Sequence, residues 1–183
     1  MKNKWVAWVV GVIGTGLGIG LGFSGAAQAA ETETTRVSWE LQLPGVSHHF
    51  SAPQKAGKSW NQFHDGLGLQ TTRVTGDRVV RYTAGFMRDS FGKQGLYVGG
   101  AYGMRLIDDG GYYVDLSAAP MLLYRTIKFD TSDRVLIPIV LPMLSFEHKA
   151  SGIGANITVL PGGNMGKNLR FPGLIYLQFS YRL

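Results

Sequence analysis

The 183-residue chain carries 18 Lys and Arg against 12 Asp and Glu, with 26 Gly and no Cys. A charged share of 16% beside an aromatic share of 11% excludes a disordered chain, which is charge-rich and aromatic-poor. The lack of Cys excludes a disulfide scaffold, a thiol nucleophile and a thiolate metal site, and the four His show no paired spacing that would predict a zinc centre.

Residues 1–29 read as a signal peptide. Lys2 and Lys4 precede an uncharged run from Trp5 to Ala30, which closes on Ala27-Gln28-Ala29, a small-x-small cleavage form. The run is long enough for an uncleaved anchor helix; its seven Gly and the Ala-x-Ala ending favour cleavage after Ala29. Residues 30–183 then form one exported domain, and loss of two Lys takes the formal charge from +6 to +4. Scattered basic residues on an exported chain predict a membrane-surface partner and no nucleic acid.

Beyond residue 30 the longest uncharged apolar stretch, Val135–Phe146, is broken by Pro138 and Pro142, so a polytopic helical membrane protein is excluded. The residues alternate with period two. Eight strands are predicted near 37–49, 62–75, 78–90, 95–107, 112–127, 134–147, 152–161 and 170–183, most of them separated by Gly/Asp/Ser/Pro turns. Their length suits a transmembrane barrel strand better than a sandwich strand. The predicted fold class is all-β, an eight-stranded antiparallel transmembrane β-barrel after a signal peptide. Closure removes the sheet edge that lipid would not tolerate.

A barrel of eight strands is too narrow for an open pore. In the fourth strand Gly99, Ala101 and Gly103 share a face, which predicts an empty slot in the lumen; in the sixth, both faces are apolar. Such a lumen suits a hydrocarbon chain, and a plain packed core with Gly for curvature explains the same residues. Pro44, Pro120, Pro138, Pro142 and Pro161 fall in or at the ends of strands, where a missing donor weakens a seam. Such a seam admits a lipid sideways, or simply ends a strand. Arg73, Arg78, Arg81, Arg88, Arg105 and Arg125 are placed at the rims, against lipid phosphates or solvent. His64 and His148 read as rim or strand-end residues, and Trp39 and Trp60 as interface-belt aromatics.

The ends of the first and third strands share the external rim. His48-His49 and Asp89-Ser90 therefore converge there, offering a general base, a supporting carboxylate and a hydroxyl. Leu43-Pro44-Gly45-Val46-Ser47-His48-His49, Phe86-Met87-Arg88-Asp89-Ser90-Phe91, Ala101-Tyr102-Gly103, Leu141-Pro142 and Leu160-Pro161-Gly162 together resemble, in order, segments of the outer-membrane lipid A palmitoyltransferase family. The resemblance implies a phospholipid:lipid A acyltransferase that moves a palmitoyl chain from a phospholipid donor to a lipid A hydroxyl. It implies His49, Asp89 and Ser90 as catalytic residues, and Gly103 as the floor of an acyl pocket that includes Gly99 and Ala101. Pro44, Pro142 and Pro161 would border a lateral opening. No metal or cofactor is implied, and the partners are outer-membrane lipids around a monomer in the bacterial outer membrane.

Two departures stand out. Only Ala30–Arg36 precede the first strand, leaving no room for the family's amphipathic helix. And parity counted from an outward Trp39, Leu41 and Leu43 turns His48 inward and His49 outward, unless an irregularity at Pro44-Gly45 reverses it; His48 is thus the rival of His49. Other functions compete: a non-enzymatic structural or adhesive barrel, which expects a polar, self-satisfied interior; a lipid A deacylase, which needs a late His-x-Ser; and a soluble lipid carrier, which expects shorter strands.

Overall fold

The computed structural model describes residues 33–53, 56–129, 131–165 and 169–183. The predicted signal peptide lies outside these residues.

Among the described residues eleven strands follow in chain order: β1 (Thr35–His49), β2 (Phe63–His64), β3 (Gly66–Thr75), β4 (Arg78–Arg88), β5 (Gln94–Asp109), β6 (Tyr112–Thr126), β7 (Arg134–His148), β8 (Ile153–Leu160), β9 (Gly163–Met165), β10 (Leu169–Phe171) and β11 (Leu174–Arg182). Eight of them, β1, β3 to β8 and β11, pair antiparallel with their neighbours, and β11 returns to β1. The sheet is thus a closed eight-stranded barrel, as predicted. The two-residue β2 adds to β1 between the first long connection and β3, and β9–β10 form a separate hairpin.

The turns sort the two ends. At one end the strands join through residues 76–77, 110–111 and 149–152. Gly110 and Gly111 both have positive φ (59° and 84°), which only an achiral residue adopts cheaply, and this pair makes the tight β5–β6 turn. At the other end the connections are longer, spanning 50–62, 89–93, 127–133 and 161–173. Short periplasmic turns and longer external loops are the rule in transmembrane barrels, so the long-loop end is the external one.

Alternation decides what faces where. Trp39, Leu67, Leu69, Tyr82, Phe86, Leu96, Val98, Tyr102, Leu122, Val140 and Phe179 are large, apolar and exposed on the outer wall. Glu40, Gln42, Gln70, Thr72, Arg81, Asp115, Ser117, Ser145, Asn156 and Ser180 are polar and buried inside. This inversion of a soluble protein's pattern is what a lipid-facing wall demands, and it is the architecture of an outer-membrane barrel.

Candidate functional site

The lumen has two halves. In the periplasmic half, Asp115 pairs with Arg81 and accepts from Arg105 Nε at 2.8 Å. Arg182 pairs with Glu147 at 2.7 Å, Gln70 Nε2 donates to Glu40, and Ser145 donates to Asn156 at 2.7 Å. Above them Gln42 Nε2 donates to Gln70 at 3.0 Å, while its Oε1 accepts from both Thr83 and Tyr97 at 2.7 Å. Buried charges persist only when paired and hydrogen-bonded, and here opposite charges meet. This plug corrects the placement of Arg81 and Arg105: both are interior counter-ions of Asp115, not rim groups for lipid phosphates. It also shows that the lumen is not apolar throughout. The polar interior expected of a non-enzymatic barrel is present in this half, around a cavity of about 220 Å³, although Arg81 Nε and Asn156 Nδ2 have no partner among the described residues.

The external half is apolar. A cavity of about 120 Å³ runs among Met87, Ala101, Ala119, Met121, Leu123, Ile139, Leu141, Met143, Leu160 and Leu174, with the Gln70–Arg81–Asn156 layer beneath. The inward residues Ala119, Met121, Leu123 and Arg125 of β6 follow its wall over six residue steps, about 20 Å of strand at about 3.4 Å per step. Of the predicted pocket residues, Ala101 lines this cavity; Gly99 and Gly103 do not. A Cβ at Gly99 would meet Met121 Sδ at 2.4 Å, because the Met121 side chain already fills that place. A Cβ at Gly103 would meet the Leu116 carbonyl at 2.0 Å and Ser117 Oγ at 2.4 Å, a level deeper, beside the plug. The floor is therefore Ala101 and the polar layer.

At the mouth, the β1 register shifts between Gln42 and Gly45, where one extra residue stands against β11. One inserted residue turns every later side chain over. Gly45, Ser47 and His49 therefore face inward and are buried, while Val46 and His48 face outward. The simple parity count is reversed as the Pro44-Gly45 irregularity allowed, and His48 is the lipid-side histidine.

His49 is buried at 7% exposure under the indole of Trp60, with ring centroids 4.8 Å apart. Both of its ring nitrogens lack a hydrogen-bond partner among the described residues, and it does not line the cavity. Trp60, Phe91 and Phe129, one from each of three external loops, pack together at 4.9–5.4 Å and roof this corner. Trp60 is thus a lid residue rather than a belt aromatic.

Asp89 and Ser90 both line the mouth. Asp89 Oδ1 accepts from the Phe91 and Lys93 amides, each at 2.9 Å, its Oδ2 accepts from the Thr126 amide at 3.2 Å, and Arg125 Nε stands 4.0 Å away. This carboxylate therefore ties the β4–β5 loop to the end of β6.

His64, read from sequence as a rim or strand-end residue, ends the short β2 and is turned inside. It is 4% exposed and lines the cavity beside Ser47, whose Oγ lies 2.7 Å from its Nε2; its Nδ1 lies 2.6 Å from the Arg88 carbonyl. Burial is the largest influence on its pKa and lowers it from 6.5, assisted by Arg125 and opposed by the Arg88 carbonyl, Asp89 and Asp65. The signal was available: Gln70, Thr72 and Val74 are the inward side of β3, and position 64 shares their parity. His148 is the last residue of β7, at the periplasmic rim, 2.9 Å from Ser151 Oγ.

The prolines mark a gap. β7 pairs with β8 only from Met143–Thr158 to Glu147–Gly154, so Arg134–Pro142 of β7 pair with β6 alone among the described residues. Pro142 is the first residue beyond that pairing and Pro161 directly follows β8. Prolines suit an open edge because they leave no orphan amide there. Ile139, Leu141 and Leu160 of the two flanking strands line the cavity itself. Pro44 lies two seams away, in the β1–β11 bulge, and Pro120 marks a break in the β5–β6 ladder between Gly99–Met121 and Tyr102–Ala118.

No family model matches this chain, and no curated protein matches it. Among solved structures it is similar to the Yersinia pestis outer membrane protein Ail in a phospholipid bilayer nanodisc, at 10% identity and a TM-score of 0.42, over 81% of this chain and all of that one. It is also similar to the outer membrane protein AlkL in lipid bilayers, at 11% identity and a TM-score of 0.40, over 90% of this chain and 97% of that one.

Proposed function

We propose that this barrel is a phospholipid:lipid A acyltransferase that works at its external mouth. The observation that carries the reading is the split lumen. An ion-paired polar layer underlies an apolar shaft, and the shaft opens where ionisable and hydroxyl side chains collect. A scaffold or adhesin needs the plug but has no use for the shaft. A dry slot bounded below by Ala101 and the polar layer holds an acyl chain and measures it, since each buried methylene contributes about 0.8 kcal/mol.

In this reading a phospholipid slides its chain between β7 and β8 at Pro142 and Pro161. Its ester carbonyl stops among Ser47, His64, Asp89, Ser90 and Arg125. Palmitoyl is the chain that the family resemblance implies. The general base is drawn from the two inward imidazoles, His49 and His64. Asp89 holds the mouth together and offsets Arg125, and the Ser90 hydroxyl faces the cavity. The acceptor is a lipid A hydroxyl in the same outer leaflet.

Mass spectrometry of lipid A from cells with and without the protein, after phospholipids are forced into the outer leaflet, tests this. A species heavier by one palmitoyl group, lost with Asp89→Ala/Ser90→Ala, is expected. An unchanged profile with the barrel folded in the membrane would overturn the reading in favour of a non-enzymatic barrel, and a lighter species would indicate deacylation.

A further inference from the structure

We propose that Ser47 is a nucleophile with His64 as its general base, so that the acyl group passes through an ester on Ser47 Oγ. The identity of the lipid substrates rests on the acyltransferase reading; the dyad itself does not.

The hydrogen-bond geometry fixes the proton positions. The Arg88 carbonyl can only accept, so the His64 Nδ1 that lies 2.6 Å from it carries the proton. In the neutral ring this leaves Nε2 as a lone pair, and the Ser47 hydroxyl 2.7 Å away donates to it. Nucleophile, base and orienting acceptor stand in line, the arrangement that activates a hydroxyl. A main-chain carbonyl takes the place that a carboxylate fills in the Ser-His-Asp triad.

The fold holds this pair deliberately. β2 is only two residues long, yet it is hydrogen-bonded onto β1 with His64 opposite Gly45, and the Ser47 amide donates to the Gln62 carbonyl at 2.8 Å. Gly45 leaves room there: a Cβ would fall 2.7 Å from the Tyr176 hydroxyl, and the Tyr176 ring meets His64 edge-on with centroids 5.2 Å apart. Ser47 and His64 are 7% and 4% exposed, and both line the acyl cavity. Arg125 lines the same cavity from β6, across the barrel from β1, and its charge reaches His64, so it offers positive charge to a developing oxyanion.

The chemistry balances. Ser47 Oγ attacks the donor ester carbonyl while its proton passes to His64 Nε2. The bond from acyl carbon to glycerol oxygen breaks, that oxygen takes the proton from Nε2, and a lysophospholipid leaves. The acceptor hydroxyl then attacks the Ser47 ester, giving its proton to Nε2. Ser47 Oγ departs and recovers the proton.

The test uses the full barrel in lipid bilayers with a long-chain alkyl fluorophosphonate. That probe forms an oxygen–phosphorus bond to an activated serine with loss of fluoride, and peptide mapping locates it. A single adduct on Ser47 is expected, absent in Ser47→Ala and formed about a hundredfold more slowly in His64→Gln, which keeps an amide donor toward the Arg88 carbonyl. Acid quenching after exposure to a phospholipid with a labelled acyl chain is expected to leave that chain on the Ser47 peptide. Gel mobility of the folded barrel is checked for each variant, and His148→Ala serves as the unaffected control. Ser47 labelled while lipid A stays unchanged supports the dyad and overturns the lipid A reading. Lipid A acylation that persists in folded Ser47→Ala, with no adduct on the wild-type Ser47, overturns the dyad and leaves the reading standing.

Discussion

The imidazole of His49 and the indole of Trp60 lie parallel, 13° apart in plane and 4.8 Å apart in centroid, so the lid of the barrel rests directly on this histidine. Phe91 and Phe129 brace the indole from two other loops. Aromatic contacts of this kind each contribute about 0.5–1.5 kcal/mol beyond the area they bury. Trp60→Ala therefore leaves the barrel intact and uncovers His49. Acylation by diethyl pyrocarbonate, followed by peptide mapping, is expected to modify His49 several times faster in the variant, with no change at His148. Equal rates at His49 would show that the indole does not shield it.

The plug sets stability. Asp115 answers two arginines, so its removal strands Arg81 and leaves Arg105 with only the part-exposed Asp108 at 3.6 Å, whereas removal of Arg81 leaves the Arg105–Asp115 pair in place. Breaking a buried pair costs about 3–5 kcal/mol. Asp115→Asn is expected to destabilise the barrel by about that amount and Arg81→Met by less, in urea titrations of the barrel refolded into lipid vesicles. The reverse order would mean that Arg105 does not share the load.

Much of the barrel was legible because a lipid-facing strand must alternate for its whole length. All eight predicted strands correspond to barrel strands, and the Asp109/Tyr112 hairpin sits where Gly110-Gly111 marked it. The mouth was less legible. A single inserted residue at Leu43-Pro44 reverses the facing of His48 and His49, and Pro announces an irregularity without stating its size. The Ser47–His64 contact joins residues 17 apart through β2, a strand too short to leave a period. The split lumen depends on which charged residues meet across the barrel, as Arg81 and Asp115 do at a separation of 34 positions, and no local pattern records that.

Chain-length selection tests the floor. Ala101 packs with Ala119 and Met143 at the closed end of the shaft. Ala101→Leu adds three carbons there and is expected to shorten the transferred chain by about two to four methylenes, read from the mass added to lipid A; each methylene excluded forfeits about 0.8 kcal/mol of burial. Gly103→Ala presses instead on the β6 backbone at Leu116 and Ser117, and is expected to lower barrel stability without changing chain length. A shortened chain in Gly103→Ala would restore position 103 as the floor.

The side entrance can be clamped. Extending the Met143–Thr158 register by one pair brings Pro142 opposite Val159, and both side chains are exposed on the outer wall. The chain has no Cys, so Pro142→Cys/Val159→Cys introduces the only thiols. Oxidation is expected to reduce transfer from a bilayer phospholipid at least tenfold, and a reductant to restore it. Full transfer by the oxidised barrel would move the entrance to another seam, of which the break opposite Pro120 is the next candidate.

Acidity probes the base. A buried His64 whose pKa lies below 6.5 stays neutral, with Nε2 free to accept, through pH 6.5 and somewhat below. Arg125 reinforces this, while Asp89, Asp65 and the Arg88 carbonyl oppose it without prevailing. As pH falls through the lowered value the ring gains a proton at Nε2, and Ser47 loses its acceptor. The reaction of Ser47 with the fluorophosphonate is therefore expected to hold steady from pH 8 to 6.5 and to fall only below that. Stability follows the same sign. The unfolded chain takes up the His64 proton near pH 6.5 and the folded barrel only at lower pH, so the contribution of this residue is complete above 6.5 and declines as pH drops. In His64→Gln the Ser47 reaction is expected to be slow and flat across this range. A wild-type profile that instead breaks above pH 6.5 would mean that the group titrating is not this buried imidazole.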